Sequence, residues 1–264
     1  WVGPARALRY RDAEVQVVPG LTAGPTLADA LAHMGAREMP PLPEGLVTCA
    51  EGLRAAYAAR LSGMGDTGEV PEVPGCTTHF AIIDRAGNMV SHTQTLLSLF
   101  GAKMVSPSTG LLMNNGIMWF DPEPGGPNAL GPGKACLMNV CPALGSHGEA
   151  RFALGAAGGR KIVSAVTQLV SFLVDHGLSL GEAFHAPRVD VSGLDAIVVD
   201  RLLPEELDAG LSALAPVIRT DRTVLPFAFA CASGVMSAGG VRMGCTEPEA
   251  PWADTAHEDG ETTW

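Results

Sequence analysis

Basic charge is scarce in this chain: 17 Lys and Arg stand against 28 Asp and Glu, for a formal net charge of −11. No basic stripe is available to neutralise phosphates, which argues against nucleic-acid binding. Long hydrophobic runs are also missing. The longest, Ile162 to Val174, is broken by Ser164, Thr167, Gln168 and Ser171, and falls short of the ~20 apolar residues a membrane span needs. Trp1 to Tyr10 carry neither a charged n-region nor an apolar h-region, and the first residue is not Met, as expected of a fragment. Localisation stays open between cytoplasm and periplasm. The six cysteines (Cys49, Cys76, Cys136, Cys141, Cys231 and Cys245) form no C-x-x-C pair and have no His at zinc-finger spacing. They are expected as small core residues, and no metal site is implied.

What is present is a chain of 264 residues, 47% of them hydrophobic, enough for a sizeable core. Helical periodicity marks Leu27 to Met34 and Ala50 to Leu61. Residues 62–75, SGMGDTGEVPEVPG, then read as an exposed, protease-accessible connector and the best internal boundary. A hairpin follows, from Phe80 to Ile83 and from Met89 to Thr95 around the turn Asp84-Arg-Ala-Gly-Asn88. Further strands are expected at Leu137 to Ala143, Phe152 to Ala156, Ala196 to Val199, Phe227 to Met236 and Val241 to Cys245. Helices are expected after Gly158-Gly159 and from Pro204 to Leu214. Without regular βαβ alternation this is an α+β layered fold. The acid-rich end, Glu247 to Trp264, with no Lys or Arg, reads as a solvated tail.

A threonine hydroxyl becomes a useful nucleophile when a base lies within hydrogen-bond reach, and a chain-terminal threonine carries its own base, the α-amino group. That amine titrates near ~7.7 to 8.0 and can take and return a proton at neutral pH. Thr77 suits this design, because it ends the connector and opens a core strand. His79 is expected as a strand side chain rather than a second base. Gly158-Gly159-Arg160-Lys161 lacks the P-loop spacing, so a phosphate cradle is not implied.

An ordered series of motifs extends this reading. Cys76-Thr77-Thr78-His79 with Asp84-Arg-Ala-Gly-Asn88 is followed by Thr93-Gln-Thr95, Leu111-Leu-Met-Asn-Asn115 and Gly131-Pro-Gly-Lys134. Cys141-Pro142, Gly155-Ala-Ala-Gly-Gly159 and Ala186-Pro-Arg188 complete it. The series resembles γ-glutamyltranspeptidases from about Thr77 to Thr246, with a fainter echo at Tyr10 to Gly35.

The resemblance implies a four-layer αββα N-terminal nucleophile hydrolase sandwich, incomplete here because most of the large-subunit segment is absent. Residues 1–76 would be the end of that segment, with the connector at 62–76, and residues 77–264 the small catalytic subunit with its tail at 247–264. It also implies that scission of Cys76–Thr77 makes Thr77 the catalytic nucleophile, that the Thr95 hydroxyl hydrogen-bonds it, and that Gly158 and Gly159 form the oxyanion hole. The partners implied are a small-molecule amide, water or an amine acceptor, and the rest of the large subunit; no cofactor is implied. The glutamyl-binding positions of the family fall on Leu97, Gly116, Trp119, Met138 and Asn139. Loss of an amine-pairing carboxylate favours a less polar acyl group, as in cephalosporin or glutaryl acylases. An uncut, silent member acting as a binding protein is the other alternative.

Overall fold

The computed structural model describes residues 2–64, 75–223 and 228–257. Most of the expected connector, Phe227 and the last part of the acidic tail lie outside these residues.

A six-stranded antiparallel sheet forms the centre, in the order β1-β2-β5-β6-β10-β11. Its strands are β1 (Arg6–Tyr10), β2 (Ala13–Val17), β5 (Ala143–His147), β6 (Ala150–Ala157), β10 (Cys231–Ala238) and β11 (Val241–Thr246). One face is covered by α1 (Gly24–Gly35), α2 (Gly45–Gly63) and α3 (Lys161–Val174). Against the other lies the hairpin of β3 (Gly75–Ile83) and β4 (Met89–Ser98). Beyond α4 (Leu180–His185), a small sheet joins β7 (Val189–Asp190), β8 (Ile197–Asp200) and β9 (Val217–Thr220). A short 3₁₀ turn at Glu205–Leu207 and α5 (Asp208–Ser212) make the crossover between the parallel strands β8 and β9. The mixture of helices and an antiparallel sheet agrees with the α+β reading.

β6 explains the layering. Phe152 through Ala156 are all buried, as befits a strand covered on both faces. Phe152, Leu154 and Ala156 join the helix-side core with Leu27, Leu31, Leu53, Val166 and Leu169. By alternation, Ala153, Gly155 and Ala157 face the hairpin, and their small size lets the two β-layers approach. Ser91 Oγ donates to the Leu154 carbonyl at 2.8 Å and Ser233 Oγ to the His79 carbonyl at 3.3 Å, fastening the layers together.

Several expectations change. Leu137 to Pro142 is not a strand but an extended stretch whose backbone partners are Leu21 and Ala23 rather than a ladder. The helix expected from Pro204 to Leu214 is divided into the 3₁₀ turn and α5. Cys49 and Cys141 are core residues, while Cys136, Cys231 and Cys245 are half-buried, and all five are free thiols. Glu247 is not solvated: it is 3% exposed and neutralises Arg188 and Arg222. No helix among the described residues is long and apolar enough to cross a membrane.

Candidate active site

The hairpin places two threonine hydroxyls together. Thr77 pairs with Thr95 across the β3–β4 ladder, and Thr77 Oγ1 donates to Thr95 Oγ1 at 3.1 Å. Thr95 Oγ1 also accepts from the Leu97 N–H at 2.9 Å. Beside this pair the ladder slips: Gly75 lies opposite Ser98, so Leu96 and Leu97 together face the single residue Cys76. Leu97 takes a left-handed φ of 70° to make this β-bulge. The irregularity sits opposite the Cys76–Thr77 bond, which in this structure is continuous within β3.

The hairpin is oriented by contacts at its far end. Arg151 Nη1 donates to the Gly87 carbonyl at 3.0 Å and Arg242 Nη1 to the Asp84 carbonyl at 3.2 Å, seating the turn over the start of β6. The His79 ring lies over Gly155, where an added Cβ would meet it at 2.2 Å. β3 therefore runs opposite to β6, and Thr77, two residues before His79, stands toward the Ala157–Gly158 end.

At that end the chain makes the turn into α3. Gly158 has φ 141° and Gly159 φ 61°, conformations that L side chains rarely adopt, and a Cβ on Gly158 would lie 2.8 Å from Ala230 Cα. Among the described residues, neither N–H donates to a turn or cap carbonyl. Two such groups beside a helix N-terminus suit developing negative charge.

The expected acyl-site residues are tied to the same hairpin. Asn115 N–H donates to the Leu96 carbonyl at 3.1 Å, which brings the buried Gly116 and its 3₁₀ turn, Gly116–Trp119, back beside the bulge. Asn128, absent from the sequence-based candidates, links the other wall. Its Nδ2 donates to the Trp119 carbonyl at 2.6 Å, and its Oδ1 accepts from the Leu137 N–H at 3.0 Å. Met138 and Asn139 follow, and their carbonyl and Oδ1 oxygens accept from Arg60 Nη2 at 2.8 and 3.0 Å. An Asn in a Gly- and Pro-rich loop is the one sequence signal Asn128 offers.

His79 is neutral in this setting. Burial first, and the charge of His92 second, pull its pKa down to about 4. Its Nδ1 lies 2.8 Å from Thr93 Oγ1, and Nε2 is buried with no hydrogen-bond partner among the described residues. Farther along, Arg188 Nη2 contacts Glu247 Oε2 at 2.5 Å, and Arg222 Nε lies 2.7 Å from Glu247 Oε1 as an ion pair rather than an aligned hydrogen bond. Burial pushes the Glu247 pKa up, while Arg188 pulls against it.

Residues 69–248 match the family model of Gamma-glutamyltranspeptidase. Acylase ACY 1 proenzyme of Pseudomonas sp. (strain V22) is 38% identical over 148 residues, 55% of this chain and 26% of the relative. Glutathione hydrolase proenzyme of Bacillus subtilis (strain 168) is 32% identical over 144 residues, 54% of this chain and 24% of the relative. The chain thus spans about a quarter of the length of these curated relatives. Among solved structures, cephalosporin acylase from Bacillus halodurans superposes with a TM-score of 0.77 at 22% identity, covering 93% of this chain and 51% of that one. Gamma-glutamyltranspeptidase from Pseudomonas nitroreducens complexed with L-DON gives 0.56 at 24% identity, covering 69% and 100%. At these identities the likeness speaks to the fold. The matched segment takes in most of the chain and holds the Thr77 hairpin, the glycine turn and Arg188, so the chain belongs to the γ-glutamyltranspeptidase family.

Proposed function

We propose that this chain carries the catalytic centre of an autoprocessing amide hydrolase or acyltransferase, with Thr77 as nucleophile. The observation that carries the reading is the Thr77–Thr95 hydroxyl contact, set opposite a bulge at the bond to be cut and on the strand end that stands toward Gly158-Gly159. In autoprocessing, Thr77 Oγ attacks the Cys76 carbonyl carbon, the peptide nitrogen leaves as the Thr77 amine, and water hydrolyses the resulting ester. In turnover the free α-amino group takes the Oγ proton and returns it to the leaving amine of the substrate, and the acyl-enzyme passes to water or an amine acceptor. The Gly158 and Gly159 N–H groups receive the oxyanion.

Scission would then divide this chain between residues 1–76, the end of the large-subunit segment, and residues 77–264, the small catalytic subunit. Phe80, Ile82 and Val90 leave apolar side chains exposed on the outer face of the hairpin, which supports a four-layer sandwich completed by the rest of the large subunit.

For the acyl group, Leu97, Gly116 and Trp119 beside the bulge favour a less polar donor than γ-glutamyl, and a relative 38% identical over the matched segment bears the name acylase. Intact mass of the full-length protein tests the reading. Two pieces with Thr77 at a new N-terminus, lost in Thr77→Ala, support it, and one persistent chain favours the uncut binding protein. Hydrolysis rates for γ-glutamyl, glutaryl and aliphatic anilides then rank the acyl donors.

A further inference from the structure

One face of α2 reaches both halves of the candidate site. Tyr57 and Arg60, three residues apart and so on the same side of the helix, are 1% and 2% exposed. The Tyr57 hydroxyl donates to the carbonyl of Arg160, the residue directly after Gly158-Gly159 and the N-cap of α3. The Arg60 guanidinium spans two segments. Nη1 donates to the Thr22 carbonyl and Thr26 Oγ1, each at 3.2 Å, and Nη2 to the Met138 carbonyl at 2.8 Å and Asn139 Oδ1 at 3.0 Å.

We propose that α2 is a positioning helix for the active site, Tyr57 setting the glycine turn and Arg60 setting the Met138–Asn139 wall of the acyl pocket. The proposal rests on the reading of Thr77 as nucleophile. Both side chains lie upstream of the Cys76–Thr77 bond, whereas their oxygen partners at 138, 139 and 160 lie downstream. After scission each hydrogen bond joins two separate pieces, and the upstream piece becomes a structural part of the catalytic centre.

The physics assigns the two anchors different effects. A Gly-Gly turn has little intrinsic preference for one conformation, so a hydrogen bond to the next carbonyl fixes where its N–H groups point. That anchor acts on a transition-state interaction. The stretch from Leu137 to Pro142 has no ladder of its own, and a planar fork that bridges it to α1 is something a lysine cannot reproduce. That anchor acts on ground-state binding of the acyl group.

The test uses the full chain and an anilide substrate, with Tyr57→Phe, Arg60→Lys and, as a control of like burial, Tyr10→Phe, whose hydroxyl serves Asp175 instead. Tyr57→Phe is expected to lower kcat about tenfold, part of the ~10²–10³ loss from deleting an oxyanion donor, with KM little changed. Arg60→Lys is expected to raise KM about tenfold with kcat little changed. Amide hydrogen exchange in the uncut Thr77→Ala background gives a second readout. Tyr57→Phe should accelerate exchange around 159–163, and Arg60→Lys around 137–140. If both variants behave as Tyr10→Phe does, lowering Tm alone, or if kcat and KM move together with exchange unlocalised, the positioning role is overturned. If Thr77→Ala retains hydrolysis, the nucleophile assignment fails instead, and the exchange pattern alone decides the fate of the two anchors.

Discussion

The His79 ring occupies the space that any side chain at residue 155 would need, its nearest atom 2.2 Å from the Cβ such a residue would carry. The contact fixes how closely the β3–β4 hairpin can seat on β6, and so where Thr77 stands relative to Gly158. Gly155→Ala should therefore destabilise the protein by ~1–3 kcal/mol through overpacking. The unfolding midpoint measures this, and His79→Ala in the same chain should recover part of the loss. Simple additivity of the two losses would contradict the contact.

His79 also gives stability a pH signature. Its folded pKa of about 4 lies below the ordinary 6.5, so between these values the unfolded chain binds a proton that the folded one refuses. Stability falls as pH drops from ~6.5 to about 4, by up to ~1.4 kcal/mol per unit, and levels off below. Asp190, Asp200 and Glu247, whose pKa values burial raises, work in the opposite sense. The difference in Tm between wild type and His79→Gln across this range isolates the histidine. A flat difference would show that His79 titrates normally.

Thr95 Oγ1 accepts from Thr77 Oγ1 and from the Leu97 N–H. Thr95→Val removes that acceptor at nearly constant volume, and it should slow scission about 10- to 100-fold by letting the nucleophile rotate away. Thr95→Ser should keep most of the rate. Timed denaturing gels of newly made protein read both.

Once Thr77 is N-terminal, its amine must be neutral to accept a proton, and kcat/KM should rise through an apparent pKa near ~8. A pH–rate profile that does not rise through this range would argue for another base.

Glu247→Ala would leave the Arg188 and Arg222 guanidiniums buried without their shared carboxylate. The expected cost is ~3–5 kcal/mol, read by chemical denaturation, with Glu247→Asp losing less.

The parts of this molecule that could be read from the sequence are those whose signal is local. The hairpin announces itself through two apolar runs around Asp84-Arg-Ala-Gly-Asn88, and α3 through the spacing of Val163, Val166 and Val170. Gly158-Gly159 mark the turn because no other residue takes those φ values cheaply. What escaped depends on distant partners. Tyr57 serves a carbonyl 103 residues on, and Arg60 one 78 residues on, so neither leaves a trace near itself. Glu247 looked solvated among other acids because the two arginines that bury it are far away in sequence. Leu137 to Pro142 has the composition of a strand, yet Arg60 and the backbone of Leu21 and Ala23 take up its polar groups instead of a ladder.

The bulge opposite Cys76 bears on what scission would do to the hairpin. Seven residues, Thr77 to Ile83, pair with β4 on the far side of the slip, and among the described residues Gly75 alone pairs on the near side. Breaking the chain at that point would leave the new terminus gripped by nearly the whole ribbon. Thr77 would therefore not have to be re-seated after scission.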